Sequence, residues 1–271
     1  MPLSIRERAL QRLHQDIATD GIVYLSRRER AAALQAVTDR RDDYEIAREL
    51  VLRHQLGRFF RVAIFGSARL KKGDPEFDFV VNLSRDLVVA IDPDIVSGGG
   101  PGIMWAAHMG SNEGKAIRES RGLKTHSRNV GITLRTLPNQ PKPHPDLHFD
   151  FSHGEFSTRI EEFGDQSQVS IFAAGGEGTL LEMQNGIQLR QVGHLEPTYP
   201  LIATNYWRAL LEAKYRTFYY NREITGQRTM VDREHLGIVQ LSDDIGEIVE
   251  IVSTAHTIWK RDIRDHIRVG R

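Results

Sequence analysis

A chain of 271 residues, 40% of them hydrophobic, is long enough for one large domain, or a domain with an appendage, and can bury a real core. Lysine plus arginine and aspartate plus glutamate each number 36, so the formal net charge is zero, which argues against a general nucleic-acid binder. There is no cysteine, which excludes disulfides and thiolate metal sites and suits a reducing compartment.

In chain order, residues 1–58 are predicted to be helical. SIRERALQRLHQDI and the longer run from Ser26 carry apolar residues at three- and four-residue spacing among many charges, and TDG at 19–21 separates them. The opening MPLSIRERAL has charge where a signal peptide needs an apolar core, and no apolar run nears the roughly 20 residues of a membrane span. A cytoplasmic protein with no membrane partner is the expectation. From Arg61 the pattern changes. RVAIFG (61–66) is a short apolar strand ending in glycine, and DIVSGGGPGIM (94–104) repeats that design before the helical WAAHMGSNEGKAI. NVGITL (129–134) and QVSIFAAGG (168–176) are further apolar strands, and LHFDFS (147–152) alternates like a half-exposed one. LPNQPKPHPDLH (137–148) is a proline-dense loop or arm. YPLIAT (199–204) and GIVQL (237–241) complete the set, each leading into a helical segment. Strands alternating with helices imply an α/β fold: an open, mostly parallel, doubly wound sheet with helices on both faces. The expected division is a helical extension at 1–58 and an α/β domain at 59–271.

Three of these strands end in glycine turns: Gly66-Ser67, Gly98-Gly99-Gly100-Pro101-Gly102, and Gly175-Gly176-Glu177-Gly178-Thr179. Ligands of such sheets bind beyond the carboxyl ends of the strands. Glycine lets backbone N–H groups approach a ligand, and a helix starting after the turn adds unpaired N–H groups and its positive dipole end. Three such turns in one sheet point to a phosphate ester. GSNEGKA (110–116) misses the P-loop pattern, with three residues between its glycines and Ala116 where Ser or Thr belongs. The 98–102 run misses the dinucleotide spacing.

GGEGTLLE (175–182) resembles the PGGxGTxxE motif of the LOG family, the cytokinin-activating phosphoribohydrolases and related nucleotide 5′-monophosphate nucleosidases often labelled possible lysine decarboxylases. SGGGPGIM (97–104) is similar to that family's GGGxxGxM motif and VAIFGSAR (62–69) to its opening strand and turn, while FSTRIEEF (156–163) sits where the family has an Arg-Lys pair. The resemblance runs from about residue 61 to 215. It implies a Rossmann-like, nucleotide-binding catalytic domain, a homodimer or higher homo-oligomer, and a hydrolase needing no cofactor or metal. The implied reaction is hydrolysis of the N-glycosidic bond of a nucleoside 5′-monophosphate to free base and ribose 5-phosphate. Arg159 and Glu182 become the catalytic pair. Gly66, Ser67, Gly98, Gly99, Gly100, Gly175, Gly176, Gly178 and Thr179 become the phosphate and ribose contacts. The chain departs from the family at Ala174, where the motif has proline, at Ile160, where it has lysine, and in a longer connection at 115–129 with a potential effect on base choice. Loss of the lysine cation motivates an alternative, a non-catalytic nucleotide-binding or sensor protein of the same fold.

The chemistry can be argued from the residues too. Positive charge builds on the sugar as the base leaves, and a carboxylate near the anomeric carbon stabilises it and activates water. Glu182 suits that role. Thr179-Leu-Leu-Glu182 also reads as a capping box, with the glutamate folded back on its own helix start. Arg159 is a planar cation able to hold Glu182 or a phosphate, or a merely solvated arginine. Arg69 with Lys71 and Lys72 either touches phosphate or forms a solvated turn; Met104 and Trp105 either stack on a base or pack in the core. His144, His148 and His153 fall in a loop and a strand, not on a helix, so they lack the helical i, i+4 metal pattern and read as loop or surface residues. A pyridoxal-type decarboxylase needs a marked lysine, and nothing marks Lys115 or Lys124.

Overall fold

A computed structural model describes residues 59–134, 143–221, 226 and 228–269. The expected helical extension at 1–58 and part of the proline-dense arm lie outside the described residues.

Seven strands form one sheet. In chain order they are β1 (Arg61–Phe65), β2 (Asp94–Ser97), β3 (Asn129–Leu134), β4 (Phe149–His153), β5 (Val169–Phe172), β6 (Leu201–Ala203) and β7 (Val239–Leu241). Their spatial order is β4-β3-β2-β1-β5-β6-β7. Every neighbouring pair is parallel, so the expected mostly parallel sheet is wholly parallel. The chain winds outward from β1 to β4, then returns to the other side of β1 to lay down β5. That reversal is a topological switch point, and it leaves a crevice beyond the carboxyl ends of β1 and β5.

Among the described residues six α-helices accompany the strands, five between strands and the last after β7: α1 (Pro75–Ile91), α2 (Ile103–Ser120), α3 (Phe156–Gln166), α4 (Glu177–Gln191), α5 (Arg208–Tyr215) and α6 (Ile245–Val269). Both faces of the sheet are covered, and β1 shows why its sequence is apolar from Val62 to Phe65. Val62 and Ile64 join α1, α2 and α6 in one core, with Phe77, Leu83, Ile103 and Ile248. Ala63 and Phe65 join α3, α4 and α5 in the other, with Phe163, Met183, Ile187 and Leu211. The alternation of a strand thus feeds two cores at once.

Two local features fix the ends of α1, and the second ties down the amino edge of the sheet. Pro75 opens α1, where its missing N–H costs nothing, and Asp92 ends it in the left-handed region at φ 52°. The Asp92 carboxylate then accepts from Thr125 Oγ1 at 2.6 Å and from the His126 amide at 2.7 Å, so it ties down the approach to β3. The 115–129 connection therefore lies at the amino ends of the strands. At that same edge Asp94, only 3% exposed, accepts from Arg128 Nε at 3.1 Å and Arg61 Nε at 3.4 Å. Arg128 lies 3.5 Å from the centroid of the Phe59 ring. Among the described residues no helix is long and apolar enough to cross a membrane.

Candidate active site at the switch point

Beyond β1 and β5 lies a cavity of about 530 Å³, within the range of small-ligand pockets. Its wall includes Gly66, Ser67, Gly98, Gly176, Gly178, Thr179, Arg159 and Glu182. These come from four separate connections, and only the switch-point topology brings them together. A larger cavity of about 910 Å³, lined by Arg190, His235, Gln240 and Glu250 among others, contains none of the residues singled out in the sequence.

The first turn is fixed through Ser67. Its amide donates to the Ala174 carbonyl at 2.9 Å, and its own carbonyl accepts from the Ile103 amide at 2.9 Å. One residue therefore staples β1 to the end of β5 and to the start of α2. This close approach requires Gly102, whose φ is +70° and whose added Cβ would collide with the Ser67 carbonyl oxygen.

The second turn is used differently from expectation. The Gly99 amide donates to Ser97 Oγ at 3.0 Å, and its carbonyl accepts from the His144 amide at 2.9 Å. Ser97 Oγ is itself 2.7 Å from Nε2 of the fully buried His108. The backbone of Gly99 is thus spent inside the protein, and neither Gly99 nor Gly100 lines the cavity. Gly98 does, for a reason invisible in the sequence: a Cβ there would run into the guanidinium of Arg159 and come within 2.7 Å of Met104 Sδ.

Arg159 projects from α3. Its Nε donates to the Ile132 carbonyl at 2.8 Å, and its guanidinium lies 5.3 Å from the Phe163 ring centroid and 5.8 Å from that of Phe156. Anchored at Nε, it presents its outer nitrogens towards the cavity. Burial lowers its pKa and the Glu182 carboxylate raises it; a guanidinium nonetheless stays charged.

The third turn leads into α4, whose N-cap is Gly176 with no side-chain cap. The first intrahelical bond runs from the Leu180 amide to the Gly176 carbonyl at 2.9 Å. The amides of Glu177, Gly178 and Thr179 precede it and lack intrahelical acceptors. Thr179 is therefore the third residue of the helix and is buried. The capping-box reading of Thr179 and Glu182 fails, because the cap is Gly176 and Glu182 is the sixth residue of the helix. Gly175 stays outside the cavity, packed against the Thr179 side chain, and its carbonyl accepts from Tyr206 Oη at 3.0 Å.

Glu182 faces the cavity from the second turn of α4, about 7.5 Å along the axis from Glu177. Burial pushes its carboxyl up to about 7, against the opposing pull of Arg159. The two groups interact through space without a direct ion pair among the described residues. A carboxyl balanced between its two forms near neutrality can accept and return a proton, and such shifts cluster at functional sites.

Phe156 and Glu177 carried little signal in sequence, and Arg69 a divided one. Phe156 is 37% exposed at the cavity rim, and Glu177 and Arg69 sit at its wall. Met104 also lines the cavity, whereas Trp105 does not and meets Phe77 edge-on at 6.0 Å. Lys71 and Lys72 are exposed outside it. His148 is occupied in structure: its Nδ1 accepts from the Asn129 amide at 3.1 Å. Asp232, Glu234 and His235 are close enough together to hold a metal ion, but Asp232 and His235 form the capping box of the short helical turn Arg233–Gly237.

A cavity at this place in a doubly wound sheet is where domains of this class hold small ligands. No family model matches the chain, and no curated protein matches it by sequence. Solved structures do. The molybdenum cofactor binding protein from the phototrophic bacterium Rippkaea orientalis matches with a TM-score of 0.51 at 14% identity, over 73% of this chain and 97% of that one. The molybdenum cofactor carrier protein from Chlamydomonas reinhardtii matches with a TM-score of 0.50 at 13% identity, over 74% of this chain and 99% of that one. At such identities the likeness is one of fold.

Proposed function

We propose that the protein hydrolyses the N-glycosidic bond of a nucleoside 5′-monophosphate, releasing the base and ribose 5-phosphate. One observation carries this reading: Arg159, Glu182 and the unpaired amides at the start of α4 line the same cavity. The amides of Gly178 and Thr179 hold the phosphate, aided by the helix dipole. The ribose then extends along α4 towards Glu182. As the C1′–N bond breaks, its electron pair leaves with the base and positive charge develops on the sugar. The carboxylate stabilises that charge and takes a proton from the water that bonds to C1′, the departing base nitrogen takes up a proton, and Glu182 then releases the one it gained. Arg159 holds an anionic oxygen of the ligand by charge-assisted hydrogen bonds. The motif resemblance to the LOG nucleosidases supports the same reaction.

A second reading, a non-catalytic binding or carrier protein, is favoured by the structural neighbours, which are described as binding or carrying the molybdenum cofactor. One experiment separates the two. Purified protein is incubated with AMP, GMP, CMP, UMP and a cytokinin ribotide, and released base is quantified by chromatography. Base release from at least one, reduced roughly 10²-fold or more in Glu182→Gln, is expected for an acid–base residue. Tight nucleotide binding with no base released from any of the five would favour the carrier.

A further inference from the structure

Glu182 faces two cavities. Behind it, away from the ligand cavity, lies a small space of about 30 Å³ lined by Ile160, Phe163, Ser167, Asn185 and Leu189 among others. Phe65 and Glu182 line both spaces and so form the partition between them. Most of the rear wall is apolar, but Ser167 is only 4% exposed and its Oγ has no hydrogen-bond partner among the described groups. A buried hydroxyl left unpaired costs about 1–3 kcal/mol, so such groups normally have a partner. A space of this size holds one water, which needs two to four polar neighbours. Ser167, Ser170, Asn185 and the Glu182 carboxyl are the polar side chains that line it.

We propose that the rear cavity is a binding site for one ordered water that bridges Ser167 Oγ and the inner oxygen of Glu182, making Ser167 and Asn185 positioning residues for that carboxylate. The bridge leaves the outer oxygen facing the ligand cavity. It also gives the carboxylate a donor that the apolar wall of Ile160, Phe163 and Leu189 cannot. The proposal rests on the reading of Glu182 as the reacting acid. The charged group acting on Glu182 is Arg159 from α3; Arg69 from the β1 turn and Glu177 from its own helix share the ligand-cavity wall, and the rear wall adds no further charge.

The test needs no substrate, so its failure is distinct from a failure of the hydrolase reading. The Glu182 carboxyl is titrated by NMR in the full-length protein labelled with ¹³C-glutamate, assigned by its loss in Glu182→Gln. Asn185→Leu fills the space with methyl groups, and Ser167→Ala removes one partner without filling it. Losing a donor to the ionised form raises a carboxyl pKa, so the midpoint should rise by about half to one unit in Asn185→Leu and less in Ser167→Ala. Ser167→Ala, a one-atom deletion, keeps the test alive if the leucine variant does not fold. Midpoints unchanged or lowered in the variants that fold would overturn the proposal.

Discussion

Arg159 is held on several sides before any ligand arrives. The Ile132 carbonyl takes its Nε, the rings of Phe156 and Phe163 flank its guanidinium, and Gly98 leaves the space it fills. Preorganisation of this kind lowers the cost of binding, since the side chain has little freedom left to lose. Gly98→Ala puts a methyl group where the guanidinium lies. It should weaken mononucleotide binding by about tenfold, roughly 1.4 kcal/mol, in an equilibrium titration, with near-native circular dichroism. Unchanged affinity would mean that Arg159 does not touch the ligand. Glu182 makes a separate prediction. It must be ionised to take a proton from water, so kcat should fall as pH drops through about 7. A pH–rate profile whose acid limb lies near the ordinary carboxylate value of 4.5 would contradict that environment.

Helices α1 and α2 pack with almost no space between their backbones. A Cβ at Gly110 would collide with the Val81 carbonyl oxygen, and one at Gly114 would lie 2.6 Å from the Arg85 carbonyl oxygen. Gly110→Val should therefore wedge the pair apart and cost about 1–3 kcal/mol, read as a lower urea midpoint. These two glycines show what a sequence can and cannot disclose. GSNEGKA was legible as a failed P-loop, but its role as a helix contact depends on which helix lies opposite. The strands after Arg61 were legible because most are short apolar runs, three of them ending in glycine turns, and one alternates polar and apolar residues. Their order was not, because pairing is a long-range matter, and with it the switch point stayed hidden. Likewise the glycines of 98–102 look alike in sequence, yet only Gly98 reaches the cavity while Gly99 spends its backbone on Ser97 and His144. The Thr179–Glu182 spacing matched a capping box, but the helix begins earlier, at Glu177, after the Gly176 cap.

At the scale of the molecule, the site and the stability of the fold pull in opposite directions. Burial raises the Glu182 pKa from 4.5 in the unfolded chain to about 7 in the folded one. Below pH 4.5 both states carry the proton and the residue costs nothing. As pH rises towards 7 the unfolded chain ionises first, so stability is lost across that window and stays lost above it. Glu182→Gln, permanently neutral, should be more stable than wild type at pH 8 by about 1–3 kcal/mol, and the gap should close towards pH 4.5. Urea unfolding at the two pH values checks it, and a variant less stable than wild type at pH 8 contradicts it. On the proposed function, one cavity at the switch point grips a monoester so that C1′ of its sugar faces Glu182. The direct measurement is a crystal structure of Glu182→Gln soaked with AMP. Phosphate oxygens are expected on the Gly178 and Thr179 amides, with the anomeric carbon opposite residue 182. Nucleotide bound elsewhere, or bound here with its sugar turned away from that residue, would contradict the proposed function.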